Sequence, residues 1–190
     1  MVQNGVLAEF TKKLIVRVSA LKAGPGMDTS TSQGPLVNAA AVDKVRQHVD
    51  DALGKGAKIE YQGEQLSTRG YYYPPTIVSG ATKAMLIASE ETFGPVAALF
   101  PFETEDEAIA LANDTEFGLA GYLFSSNANR VLRVSRKMQV GMVGVNTGKI
   151  SAPETPFGGV KESGYGREGS LYGLDEYQVI KSTIIGNVDR

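Results

Sequence analysis

The sequence predicts an α/β fold in which helices flank a largely parallel sheet. Residues 96–100 form a continuous apolar run, which is typical of a strand buried on both faces. A helical pattern follows, then a strand-like segment at 117–124, a second helical pattern reaching Met138 and a strand-like segment at 140–145. Strand, helix, strand, helix, strand in this order is typical of βαβ units.

The first half of the chain leads into that core with two helices and two short strands. Apolar residues recur at spacings of three and four over residues 6–21, which predicts a helix ending near 23–26. After a polar loop at 27–35, a second helix carries Val42, Val45 and Val49 on one face and ends at Gly54 or Gly56. Further predicted elements are strands at 57–61 and 72–78, around a turn with Gly63 and Gly70, and a brief helix at 83–89.

The second half carries clear helix-start signals. Thr104 and Glu107 have the spacing of a capping box, which predicts a helix from there through Asn113. Ser125 and Ser126 are the predicted cap of the next helix, which carries Val131, Val134 and Met138. Residues 175–185 are rich in residues that favour strands and are predicted to form a C-terminal β-arm.

Composition and charge exclude several classes of function. The 190 residues have a net charge of −2 and are 42% hydrophobic, which suits one ordinary globular domain. Lys and Arg are scattered rather than clustered, so we expect no nucleic-acid partner. No apolar run is long enough to span a membrane and no signal peptide is visible, so we expect a cytoplasmic or mitochondrial protein that is not secreted.

The absence of cysteine narrows the chemistry further. Without cysteine the chain has no disulfide, no thiolate zinc site and no cysteine nucleophile of its own. The single His48 makes an imidazole triad or a multi-histidine metal site improbable, and we predict no metal site. We expect His48 to be a surface or half-buried residue on the second helix.

The glycine-dense run at 156–169 is the most distinctive segment. Residues 164–169 match G-x-G-x-x-G, but a dinucleotide site needs a strand directly before the motif, and residues 160–163 are not an apolar strand. The only acid near the expected later position is Asp189. The Walker pattern fails because Tyr165 stands where a lysine is needed. The pattern therefore predicts a structural loop.

Two other segments carry polar groups that suit ligand binding. Glu91 and Phe93 precede a Gly-Pro turn into the 96–100 strand, so a carboxylate for ribose hydroxyls and a ring for a planar heterocycle meet at a sheet end. The alternative is a solvated acidic loop with a core phenylalanine. Asn146 and Ser151 follow the last internal strand, where they suit a carbonyl or a polar substrate group, or simply turn formation.

Taken together, these pieces resemble the C-terminal part of the aldehyde dehydrogenase superfamily. The matching segments are residues 90–95 (EETFGP), 113–121 (NDTEFGLAG), 144–146 (GVN) and 156–168 (PFGGVKESGYGRE). They occur in the right order over essentially the whole chain. Residues 145–151 followed by Pro156 and Phe157 are most similar to the succinate-semialdehyde dehydrogenase branch.

The resemblance implies roles for particular residues. Glu91 would hold the nicotinamide ribose of NAD or NADP, and Phe93 would brace the nicotinamide. Phe157 would line the substrate tunnel, and Ser151 would hydrogen-bond the distal carboxylate of succinate semialdehyde. Residues 175–185 would extend a sheet across a subunit interface, either in a homo-oligomer or with full-length subunits.

The resemblance also implies what these residues lack. In the family a cysteine thiolate attacks the aldehyde and a glutamate activates water to hydrolyse the thioester, and both would lie upstream of the segment resembling residues 2–5. We therefore expect a partial catalytic domain at 1–172, an oligomerisation arm at 173–190, no dinucleotide-binding domain and no aldehyde oxidation by this chain alone. The alternatives are a non-catalytic interaction module and, more remotely, a nucleotide-binding protein that uses residues 164–169.

Overall fold

The computed structural model describes residues 1–64 and 70–187. The chain divides into two compact units, Met1–Ala108 and Ile109–Arg190. The boundary lies inside a helix, and the predicted division at residue 172 stays a prediction. Residues 188–190, which include Asp189 and end the predicted 173–190 arm, lie outside the described residues.

The described residues form five α-helices, nine short strands and one 3-10 helix. The helices are α1 Asn4–Ser19, α2 Ala39–Gly54, α3 Leu86–Ser89, α4 Glu105–Asn113 and α5 Ala128–Lys137, with the 3-10 helix at Tyr172–Tyr177. The strands are β1 Val2–Gln3, β2 Lys58–Gln62, β3 Thr76–Ser79, β4 Val96–Leu99, β5 Pro101–Phe102, β6 Phe117–Gly118, β7 Ala120–Leu123, β8 Met142–Val145 and β9 Val160–Lys161.

The predicted α/β class is confirmed, and the strand pairs fall into four small sheets within the described part of the chain. Three pairs are parallel, namely β1 with β5, β3 with β4 and β7 with β8. Two pairs are antiparallel, β2 with β3 and β6 with β9. The parallel pair β7 and β8 is joined by α5, which is the βαβ unit that the order of elements predicts.

Helix α1 is where the periodicity predicts it, but only part of the predicted stripe packs. Leu7, Leu14 and Val18 pack against the cluster of Val2, Ile77 and Leu99. Val6 and Phe10, which belong to the same predicted stripe, remain 52% and 43% exposed. A spacing of three and four identifies two adjacent stripes of a helix, and only tertiary packing selects one of them.

Helix α2 is the best-packed helix of the first unit. Val45 and Val49 are buried on the predicted face, and the helix ends at the predicted Gly54. The expectation for His48 is wrong in one respect: it lies on this helix, but its side chain is 0% exposed. Burial of an imidazole requires hydrogen-bond partners, which His48 finds on another segment.

Strand β4 is less buried than its apolar sequence predicts. Leu99 is buried, while Val96, Ala97 and Ala98 are half-buried.

The predicted start of α4 is confirmed, because the Glu107 amide donates to Thr104 Oγ1 over 3.2 Å. The Glu107 carboxylate also reaches back, but it accepts from the Glu103 amide at 2.9 Å rather than from the Thr104 amide of a regular capping box.

Two local predictions in the second unit need correction. The cap of α5 is Asn127, whose side chain accepts from the Arg130 amide at 3.0 Å, and not Ser125 or Ser126. Residues 175–177 belong to the 3-10 helix, and residues 178–187 have no regular secondary structure. A strand needs a neighbouring strand for its backbone hydrogen bonds, and the described residues offer the arm none.

Candidate functional site

The Glu90–Gly94 segment, residues 90 to 94, connects α3 to β4 and carries two of the predicted site residues. It leaves α3 with extended backbone, since Glu90 has φ −108° and ψ 139°. It enters β4 at its amino end, whereas ligands of parallel sheets usually sit beyond the carboxyl ends of the strands. Glu91 and Phe93 therefore lie at a sheet end, as predicted, but at the amino end of β4 rather than at the carboxyl end where ligands usually bind.

Alternate residues of this segment face helix α2. The Thr92 hydroxyl lies 2.6 Å from His48 Nδ1, and a Glu90 carboxylate oxygen lies 3.3 Å from His48 Nε2. The same Glu90 oxygen lies 3.8 Å from Lys44 Nζ. At Gly94 an added Cβ would come within 3.0 Å of Val45 Cγ2. The segment is thus held to α2 at three successive even positions.

The residues between them point away from the helix. Glu91 is exposed, and the Phe93 ring is 74% exposed. The alternative interpretation of Phe93 as a core residue is therefore wrong. Exposing the Phe93 ring to water is unfavourable, and a flat ligand group would cover it. The neighbouring Glu91 carboxylate can accept hydrogen bonds from hydroxyl groups. The pair therefore suits a ligand that has both a flat face and hydroxyl groups.

Helix α2 also holds the short helix that leads into the segment. The Asp51 carboxylate accepts from the Leu86 amide at 2.8 Å, at the start of α3, where Met85 provides no side-chain cap. Lys55 Nζ lies 2.6 Å from Asp51 and also donates to the Ala84 carbonyl. The hydrogen bond from Lys55, followed by that from the Leu86 amide, lowers the pKa of Asp51.

The glycine-dense run forms a closed loop in the second unit. Phe157 and Glu168 exchange two backbone hydrogen bonds of 2.8 Å, which tie the two ends of the loop together. Inside the loop, Arg167 Nη1 donates to the carbonyls of Gly159 and Gly166. The prediction of a structural loop is confirmed by this closure.

Two features of that loop disfavour a phosphate site. An added Cβ at Gly166, which has φ +77°, would meet the Glu176 carboxylate at 2.6 Å, so a negative charge sits where a phosphate would need to bind. The motif also leads into a turn and the 3-10 helix rather than into the start of an α-helix. The nucleotide-binding interpretation of residues 164–169 therefore has no support in the structure.

Asn146 has a local structural role. Its Oδ1 accepts from the Ser125 amide at 2.9 Å, and its Nδ2 donates to the Ser125 carbonyl at 3.0 Å. Its φ of 54° lies in the left-handed region, which asparagine tolerates better than most residues. The turn interpretation therefore fits better than an oxyanion role, because donor and acceptor are both engaged.

Ser151 and Phe157 lie on the loop that joins β8 to β9 in the second unit. Ser151 is exposed, and Phe157 is half-buried with its backbone in the loop closure. The loop is shaped around Thr155, whose amide and hydroxyl both donate to the Ala152 carbonyl. Glu91 and Phe93 belong to the first unit.

Sequence reasoning missed His48, whose buried side chain contacts Glu90 and Thr92 of the Glu90–Gly94 segment. The available signal was its position: His48 follows Lys44 and Val45 by four and three residues, so all three share one face of α2.

No group of three or more His, Cys, Asp or Glu side chains that could hold a metal ion occurs within residues 1–64 and 70–187. Over the same residues, no helix combines the length and apolarity that crossing a bilayer requires.

Comparison with known families gives a match over nearly the whole chain. The model of the aldehyde dehydrogenase family matches residues 1–183. The chain is 51% identical over 188 residues to succinate-semialdehyde dehydrogenase [NADP(+)] 1 of Schizosaccharomyces pombe, covering 98% of this chain and 38% of that protein. It is 48% identical over 189 residues to 3-sulfolactaldehyde dehydrogenase of Pseudomonas putida, covering 100% of this chain and 39% of that protein.

Solved structures have the same fold. A succinate-semialdehyde dehydrogenase from Burkholderia pseudomallei aligns with a TM-score of 0.91 at 50% identity, covering 94% of this chain and 37% of that one. A betaine aldehyde dehydrogenase from Staphylococcus aureus, solved in complex with NAD+, aligns with a TM-score of 0.85 at 38% identity, covering 93% of this chain and 36% of that one. The chain therefore spans less than two fifths of the length of these relatives.

Proposed function

The chain belongs to the aldehyde dehydrogenase family, and we propose that it supplies the nicotinamide-ribose contacts and part of the substrate tunnel of an NAD(P)-dependent semialdehyde dehydrogenase. The proposed reaction is the oxidation of succinate semialdehyde to succinate. The observation that carries the proposal is the joint exposure of Glu91 and Phe93 on a segment that is held to α2.

Glu91 and Phe93 fit the cofactor in chemistry. The Glu91 carboxylate accepts hydrogen bonds from the two hydroxyls of a ribose, and the exposed Phe93 ring offers an apolar face to the nicotinamide. When bound, NAD or NADP supplies the acceptor for the hydride that leaves the aldehyde carbon. The names of two similar proteins, one specifying NADP(+) and one solved with NAD+, agree with either cofactor.

Ser151 and Phe157 are the proposed substrate contacts. The Ser151 hydroxyl is exposed and donates one hydrogen bond to an anionic oxygen. Phe157, on the same loop, offers an apolar surface for the carbon chain of the substrate. The similar proteins are named for succinate semialdehyde and 3-sulfolactaldehyde, two short aldehydes that each carry an acidic group at the far end. An acidic aldehyde is therefore the substrate class that we propose.

These 190 residues do not contain the nucleophile of such a reaction. The sequence has no cysteine, and oxidation through a thiohemiacetal and thioester requires a thiolate. We propose that the chain alone does not oxidise aldehydes, and that it functions together with the remaining part of a complete dehydrogenase.

A second candidate function is association with full-length subunits through residues 175–185. The observation that favours it is the exposure of the arm, where Val179 is 94%, Ile180 99% and Ile184 94% exposed. Apolar side chains of this kind gain free energy when another chain covers them. Co-purification of the chain with an intact homologue tests this function, and purely monomeric behaviour alone and in mixtures contradicts it.

The cofactor assignment can be tested in a complete enzyme. The matching part of the Schizosaccharomyces pombe enzyme, 51% identical, is replaced by this chain, and Glu91→Gln is then introduced. Loss of a charge-assisted hydrogen bond predicts a rise of about 10- to 100-fold in KM for the cofactor or a matching loss of kcat/KM. Asp50→Asn, an exposed charge on α2, is the matched control and leaves both constants unchanged. An unchanged Glu91→Gln enzyme contradicts the assignment.

The substrate assignment needs a comparison of two aldehydes. In the same chimera, Ser151→Ala is expected to lower kcat/KM for succinate semialdehyde by about 5- to 30-fold, because one hydrogen bond to the carboxylate is lost. Butanal, which has the same carbon chain without the carboxylate, should lose nothing. An equal effect on both aldehydes contradicts a role for Ser151 in carboxylate binding.

A further inference from the structure

We propose that His48 is a positioning residue: its imidazole, which donates from Nε2 and accepts at Nδ1, holds the Glu90–Gly94 segment so that Glu91 and Phe93 face outward. The proposed consequence for cofactor binding rests on the proposed function. The positioning itself rests only on contacts within the first unit, and it can be tested without any cofactor.

His48 contacts the residues on either side of Glu91. Nδ1 lies 2.6 Å from Thr92 Oγ1, and Nε2 lies 3.3 Å from Glu90 Oε2. The imidazole is 0% exposed, so both nitrogens depend on these protein partners. One side chain on a well-packed helix therefore holds the segment at positions 90 and 92.

The chemistry of the partners assigns the tautomer. An ionised carboxylate only accepts hydrogen bonds, so Nε2 carries the proton and donates to Glu90. Nδ1 is then the acceptor, and the Thr92 hydroxyl donates to it.

The backbone of the segment converts these contacts into an orientation. Glu90 has extended backbone, so holding positions 90 and 92 toward α2 directs Glu91 away from it. Phe93 is the central residue of a three-residue turn, in which the Gly94 amide donates to the Thr92 carbonyl at 2.9 Å. Gly94 then lies against Val45, where an added Cβ would come within 3.0 Å. The observed exposure of Glu91 and Phe93 agrees with this arrangement.

The charged groups around His48 are consistent with this arrangement. Glu90 is 49% exposed on its side chain and also pairs with Lys44, so its charge is shared between an ammonium group and the imidazole. The Asp51 carboxylate, three residues further along α2, forms an ion pair with Lys55 and accepts a hydrogen bond from the Leu86 amide. Of the two contacts with His48, the one from Thr92 is the shorter.

The first test reads the imidazole directly. His48 is the only histidine of the chain, so the side-chain nitrogen spectrum of the 190-residue protein contains one imidazole. At neutral pH we expect a protonated Nε2 and an unprotonated Nδ1. Thr92→Val should shift the Nδ1 resonance, and Thr29→Val, the same change at an exposed site, should not. An imidazolium, a proton on Nδ1, or no response to Thr92→Val overturns the proposal.

The second test reads the orientation of the segment. The chain has no tryptophan, so Phe93→Trp introduces a single tryptophan, which long-wavelength excitation selects over the eight tyrosines. In this background, His48→Phe and Thr92→Val should lower the fluorescence anisotropy of Trp at position 93, because the segment gains local motion. His48→Gln, which keeps one donor and one acceptor, should retain more of the anisotropy than His48→Phe. Thr29→Val should leave it unchanged.

Each outcome of the second test has a separate meaning. Equal anisotropy in all variants overturns the positioning role, and Thr92→Val still decides the matter if circular dichroism shows that His48→Phe is unfolded. Introducing Thr92→Val into the chimeric enzyme then tests the link to function. Lowered anisotropy with an unchanged KM for the cofactor supports the positioning role and contradicts the cofactor assignment of Glu91 and Phe93.

Discussion

At the scale of single residues, Gly94 owes its identity to close packing rather than to an unusual backbone angle. It lies against the buried Val45 of α2, a stiff β-branched side chain that has little room to move. We expect Gly94→Ala to lower the free energy of unfolding by about 1–3 kcal/mol through overpacking. Gly34→Ala, where nothing lies within 4 Å of the added methyl group, is the control in urea denaturation.

The double variant Gly94→Ala with Val45→Ala makes that prediction specific. Removing the Val45 methyl groups opens space for the new Cβ, so the two changes should cost less together than the sum of the single changes. Purely additive losses would contradict the packing explanation.

Asp51 carries a residue-scale prediction about pH. Hydrogen bonds from Lys55 and from the Leu86 amide lower the pKa of Asp51 from its ordinary value of 3.8. A lowered folded-state pKa means that the stabilisation is present above about pH 4 and is lost as pH falls through the folded-state value. Asp51→Asn should therefore be less stable than wild type at neutral pH, with the difference shrinking in acid.

The measurement for Asp51 is urea denaturation of both proteins at a series of pH values from neutral into acid. Lys55→Met removes the main cause of the shift, so in that background the pH-dependent part of the difference should be smaller. A difference between wild type and Asp51→Asn that does not change with pH would contradict this account.

At the scale of elements, the caps decide where α5 begins. Asn127 accepts from the Arg130 amide, so Asn127→Ala should cost about 1 kcal/mol of stability. Ser126→Ala, at the exposed position that the sequence favoured as a cap, should cost much less. Thermal denaturation of the two variants checks this, and an equal loss in both would contradict the assignment of the cap.

The elements show how far sequence patterns reach. Periodicity located α1 and α2, and the capping box located the start of α4, because these signals depend on neighbouring residues alone. The patterns did not identify which stripe of α1 packs, nor the burial of His48, because both depend on segments distant in the chain. Residues 175–185 were predicted to form a strand, yet strand formation requires a partner that the described residues do not provide.

The candidate site was predictable in the same uneven way. Resemblance to the family indicated Glu91, Phe93, Ser151 and Phe157, and the exposure of Glu91 and Phe93 agrees with ligand contacts. The roles of all four remain predictions. The even positions of the Glu90–Gly94 segment, which orient the odd ones, were not predictable because their contacts with α2 are 40 or more residues distant in sequence.

At the scale of the whole molecule, exposed apolar surface predicts association. In the second unit Tyr177, Val179, Ile180 and Ile184 are all more than 85% exposed. We expect the chain to self-associate in a concentration-dependent manner in light scattering, and Ile180→Lys with Ile184→Lys to reduce this. The matched control, Thr183→Lys with Asn187→Lys, adds the same charge to the same arm without removing apolar surface. If both pairs of substitutions reduced self-association equally, burial of the apolar side chains of the arm would not be its cause.

The central claim is that these residues form a working part of a semialdehyde dehydrogenase but lack its nucleophile. The most direct measurement is NADPH formation from succinate semialdehyde by the pure 190-residue chain and by the chimera that carries it within the Schizosaccharomyces pombe enzyme. We predict turnover by the chimera and none by the chain alone. Turnover by the chain alone, or a folded chimera without activity, would contradict the account.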